Sequence, residues 1–155
     1  MTKNIWAALA LGLAALGPAA CGEAEAPADA NPDAPEGITV SNGRLMLPAV
    51  AGNPGAVYFD VANASDNNMV IRAASVTGAG STMMHATTDA GMFEILQITI
   101  PPGETVKFEP GDYHLMANLL AETVVAGSEA EVTVTFVGGD KVSFPAEVRA
   151  AGDER

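Results

Sequence analysis

The chain has 155 residues, one domain's worth once its ends are set aside, with 48% hydrophobic residues to build a core but only 5% aromatic. Its net charge of −12, with only seven Lys and Arg, repels phosphate backbones and argues against nucleic acid as a partner. Gly 16 and Pro 10, among abundant Val, Thr and Ala, favour short strands and turns over long helices.

Residues 1–21 read MTKNIWAALALGLAALGPAAC. One cation, Lys3, precedes an apolar run from Ile5 to about Leu16 that is too short to span a bilayer and ends in small residues. That is the pattern of an export signal. Cys21, the single cysteine, follows Ala19-Ala20. The segment resembles a bacterial lipoprotein signal, in which cleavage precedes the cysteine and the thiol takes up lipid, although Pro18 stands where an aliphatic residue is usual. The other reading is an ordinary cleavable signal at an Ala-x-Ala-like site with Cys21 incidental. The expected location is the bacterial cell envelope facing the periplasm, anchored to the membrane through lipid on Cys21, or otherwise free in the periplasm. One thiol excludes an intramolecular disulfide. Residues 22–37, GEAEAPADANPDAPEG, lack the apolar side chains to offset ordering entropy. Pro27, Pro32 and Pro35 keep such a segment extended, which suits a tether.

Residues 38–149 read as an all-β domain. Ser41-Asn42-Gly43 between Ile38–Val40 and Arg44–Leu47 predicts a hairpin. Ala56–Ala62 and Met69–Val76 are strands flanking the loop NASDNN. Phe93–Ile100 carries apolar residues whose alternation slips mid-run, so a bulged strand is expected. After Pro101-Pro102-Gly103 come short strands at Thr105–Phe108 and Tyr113–Ala117, and Leu119–Val125 reads as loop or a helical turn. Val132, Val134 and Phe136 alternate with threonines, and Gly138-Gly139-Asp140 turns the chain into Lys141–Val148, a period-two hairpin. Nine or so short strands predict a Greek-key β-sandwich. Residues 150–155 are a polar tail.

Between Met83 and Met116 lie both histidines, His85 and His114, and four of the seven methionines: Met83, Met84, Met92 and Met116. Imidazole and thioether are neutral donors, the latter soft, and such a set suits an ion like Cu(I). His114 and Met116 are two apart and leave a strand on one face. A hairpin with its tip at Thr87–Ala90 brings His85 and Met92 close to facing each other. Met83 shares the face of His85, whereas Met84 points the other way; one is a spare ligand and the other packs. Against this stands the ordinary fate of a methionine in a sandwich, which is to fill the core.

The segment resembles the periplasmic copper chaperone family PCuAC, whose motif is H(M)x10Mx21HxM. Met92 is followed by 21 residues and then His114-Leu115-Met116, and ITIPPGETVKFEPGDYHLMANL and AETVVAGSEAEVTVTF are similar to the family's text around its HxM strand and the strand after it. The first half departs: six residues separate His85 from Met92 where the family has eleven, and Ala86 takes the place of the optional Met. The resemblance implies a cupredoxin-like sandwich that binds one Cu(I) through His85, Met92, His114 and Met116. It also implies a monomer that delivers the ion to a terminal oxidase under assembly or to another copper carrier. The His- and Met-rich C-terminal extension of some members has no counterpart here.

A blue-copper electron carrier needs a Cys thiolate, and 38–149 contains no cysteine. No nucleophile–His–acid set points to an enzyme. The reading from another class is a metal-free, surface-anchored β-sandwich interaction module.

Overall fold

The computed structural model describes residues 33–153, all of whose regular elements are strands. The export signal, Cys21, most of the tether and the last two residues lie outside the described residues. In chain order the strands are β1 (Ile38–Met46), β2 (Gly55–Asn63), β3 (Met69–Val76), β4 (Ser81–Thr88) and β5 (Gly91–Glu94). The second half adds β6 (Ile98–Ile100), β7 (Thr105–Phe108), β8 (Tyr113–Asn118), β9 (Glu129–Phe136) and β10 (Lys141–Arg149).

They join in the order β5-β4-β8-β7-β2-β1-β10-β9-β3-β6, with β8 also pairing β2. Most pairs are antiparallel, whereas β1–β10 and β7–β8 are parallel and therefore need crossovers. The sheet curls so that its inner faces enclose a single core, a Greek-key sandwich as the strand pattern predicts. Val57, Phe59 and Val61 of β2 point inward, as do Val132, Val134 and Phe136 of β9. Phe59 stacks on Phe108 with centroids 4.1 Å apart and meets Phe144 at 5.0 Å. Asn63, buried at the end of β2, donates to the carbonyls of Asn67 and Ile100 and accepts from the Ser65 hydroxyl, so the NASDNN loop is tied to β6.

Two local expectations change. Ser41-Asn42-Gly43 makes no hairpin: β1 runs straight through it, with a register shift against β2 between Ser41 and Arg44. Asn42 takes φ 58° and donates to the Asp60 carboxylate at 2.7 Å. A Cβ on Gly43 would lie 2.7 Å from the carbonyl oxygen of Pro145, so the missing side chain lets β10 approach. The same Asn-Gly chemistry serves a bulge here. The second change is in Phe93–Ile100, which is not one bulged strand. It breaks at residues 95–97, leaving β5 paired with β4 and β6 paired with β3, at opposite ends of the sheet order. Leu119–Val125 is loop with turns, and Leu119 itself takes φ 53°.

Candidate metal centre

Three adjacent strands, β5, β4 and β8, carry the soft donors. Pairing of β4 with β8 puts His85 directly opposite His114 and, two residues along, Met83 directly opposite Met116. Because side chains alternate, these four share one face, and Met84 and Leu115 share the other, buried in the core. Met84 is 5% exposed and Met83 37%, which separates the packing methionine from the one available to a ligand. The imidazoles stack with centroids 5.7 Å apart and planes at 17°.

Met92 reaches this face from β5. The hairpin closes on a two-residue tip, Asp89-Ala90, and the Ala90 amide donates to Thr88 Oγ1. That tight tip sets the register: Met92 stands opposite Thr87, and Glu94 stands opposite His85. The expected facing of His85 and Met92 is therefore displaced by two residues, with Met92 diagonal to His85 on the same face. Its side chain crosses over β4 instead, and its Sδ lies 3.1 Å from Nε2 of His114. Met92 is 55% exposed, whereas His114 is 7% exposed.

Two features bear on whether this set fits a metal. His114 Nδ1 lies 3.1 Å from the backbone carbonyl of Asp112, which only accepts, so Nδ1 carries the proton there. In the neutral imidazole, Nε2 is then a bare lone pair aimed at a sulfur that also offers lone pairs. Such a contact is favourable if a cation is shared by the two, or if the imidazole is doubly protonated. The second feature is His85 Nδ1, which is buried with no hydrogen-bond partner, an uncompensated cost unless it finds one. Burial first, and then the facing His114, lower the pKa of His85 below its ordinary 6.5, with Glu94 opposing. A depressed pKa keeps the ring neutral and able to ligate. Among the described residues no three His, Cys, Asp or Glu side chains gather as a metal cluster. The two imidazoles would thus need thioethers to complete a coordination shell, and the donor set fits a soft ion.

Three neighbours carry no signal in the donor motif. Tyr58 on β2 lies beside His114 with centroids 6.4 Å apart, and the Arg44 guanidinium sits 5.0 Å from the Tyr58 ring centroid. Register pairs Arg44 with Tyr58 and joins Glu94, His85 and His114, and the ring contact of Tyr58 with His114 links the two sets across five strands. Glu94 could have been found in the sequence, being two residues from Met92 on the same strand; Tyr58 and Arg44 follow only from the pairing of β2 with β8 and β1.

Comparison with known proteins places this geometry in context. Residues 38–148 match the LpqE-like family, provisionally described as lipoproteins. The chain is 28% identical over 109 residues to Lxx21020 of Leifsonia xyli subsp. xyli (strain CTCB07), itself provisionally named a lipoprotein. That match covers 67% of this chain and 64% of the relative, so the chain spans just under two thirds of its length. Among solved structures, the copper-bound PCuAC domain from PmoF2 superposes with a TM-score of 0.64 at 22% identity, covering 74% of this chain and 93% of that one. The Cu(I)-bound DR1885 from Deinococcus radiodurans gives a TM-score of 0.64 at 23% identity, covering 82% and 87%. At these identities the likeness is one of fold: a cupredoxin-like sandwich.

Proposed function

The chain belongs to the LpqE-like family, and from that premise we propose that it is a copper chaperone of the bacterial envelope, binding one Cu(I) per chain as cargo. His85, Met92, His114 and Met116 are the ligands of this reading. The observation that carries it is the convergence of both imidazoles and the Met92 thioether on one face, with His114 Nε2 and Met92 Sδ 3.1 Å apart. All four ligands are neutral, so the site keeps the ion's positive charge and favours Cu(I) over harder or more highly charged ions. The role is binding and transfer, not catalysis.

This chain's own residues divide the work. Asp112 fixes the His114 tautomer and so aims Nε2 at the site. The low basicity of His85 holds its ring neutral. Exposed Met92 can be displaced by an incoming donor, which is what ligand exchange with a recipient requires. The protein acts as a monomer and passes the ion to a terminal oxidase under assembly or to another copper carrier. The likeness in fold to the copper-bound PCuAC domain and to Cu(I)-bound DR1885 supports the cargo. Anaerobic titration against a coloured Cu(I) chelator tests it: about one ion held per chain supports the reading, and failure to hold copper sinks it.

The lipoprotein descriptions and the position of Cys21 behind an apolar run support a lipid anchor on that thiol and a periplasm-facing domain on a tether. Replacing Cys21→Ser is expected to move the protein from the membrane to the soluble fraction; an unchanged distribution contradicts the anchor.

A further inference from the structure

Two thioethers, Met83 and Met116, face each other across β4 and β8 one step along the same face from the paired imidazoles. Each stands two residues from its own strand's histidine and diagonal to the other. By register alone, Met83 is placed toward the imidazole pair as Met116 is. The alternation that puts Met84 in the core leaves Met83 on this face, 37% exposed. Burying a methionine side chain is worth about 1.5–3 kcal/mol, so a half-exposed one contributes less to packing than a core position would. On the far side of Met116, its β2 neighbour is the small residue Ala56. The face therefore offers five neutral donors, His85, His114, Met83, Met92 and Met116, where roughly four fill the shell of a small soft ion.

We propose that Met83 is a fifth soft donor, interchangeable with Met116, so that Cu(I) can shift between thioethers without leaving the two imidazoles. This rests on the Cu(I) reading above. It gives the site a stepwise way to hand over its cargo: one thioether leaves, the other replaces it, and the shell stays filled while a recipient's donor enters from the exposed side. No bond beyond metal–ligand bonds changes, and the ion keeps its oxidation state.

Met→Leu removes the donor and keeps the volume, so folding is little affected. The wild type, Met83→Leu, Met116→Leu and the double variant are titrated anaerobically against a Cu(I) chelator. Each single change is expected to weaken binding by no more than about threefold, so that additivity would give about tenfold at most, and the double change by more than about a hundredfold, a strongly non-additive pair. X-ray absorption at the copper edge of Met116→Leu is expected to keep the sulfur count of the wild type. A double variant no weaker than the two single losses multiplied together, or a sulfur lost in Met116→Leu, overturns the proposal. A wild type that holds no Cu(I) removes the underlying reading, and this inference with it, whatever the variants do. Met84→Leu serves as the control and is expected to leave affinity unchanged.

Discussion

His114 and His85 face each other as equals in register but not in bonding, since Asp112 satisfies Nδ1 of the first while Nδ1 of the second is buried alone. His85 is also a residue through which pH acts on the metal-free domain. Its pKa in the folded chain lies below 6.5, through burial and then through His114, whereas the unfolded chain titrates near the ordinary value. Between the two, the unfolded state binds more protons, so stability rises with pH there. The contribution is fully present above about 6.5 and is lost as pH falls toward and through the folded value. Thermal unfolding of the metal-free protein at mildly acidic and at neutral pH should show wild type losing more on acidification than His85→Gln. Equal losses in the two proteins would contradict the assignment.

At the scale of elements, the strands that were legible are those whose pattern is strict. β9 and β10 alternate without a break, and Gly138-Gly139 supplies positive φ at their turn, so their pairing follows from the sequence. Asn42-Gly43 was not legible, because a hairpin and a bulge call for the same residues, and only the distant approach of Pro145 decides between them. The break in Phe93–Ile100 is of the same kind: its apolar residues serve two strands that pair at opposite ends of the sheet order. The face shared by His114 and Met116 could be read from a spacing of two. The partner of His85 could not, because the number of residues in the β4–β5 turn sets the register, and a two-residue tip brings Glu94 opposite in place of Met92. The bulge yields a prediction. Gly43→Ala pushes a methyl against the Pro145 carbonyl and should destabilise the domain by about 1–3 kcal/mol, read as a fall in Tm. An unchanged Tm would mean that β1 and β10 separate without cost.

Across the whole domain, core and candidate site use opposite faces of the same strands. Met84 and Leu115 look inward and His85 and His114 outward, so the aromatic cluster around Phe59 stabilises the platform without contributing a donor. The negative net charge raises the local concentration of any cation, and in the proposed reading selection among cations falls to the two imidazoles and the thioethers. Because the donors and the hydrophobic core occupy opposite faces, the fold is expected to survive removal of a donor. The most direct test is therefore the Cu(I) affinity of wild type and His114→Ala measured side by side, with Tm recorded for both. One Cu(I) per wild-type chain is expected, with a loss of affinity of at least about a hundredfold in the variant and the domain still folded. A wild type that retains no Cu(I), or a variant that binds it as tightly as wild type, would contradict the proposed reading.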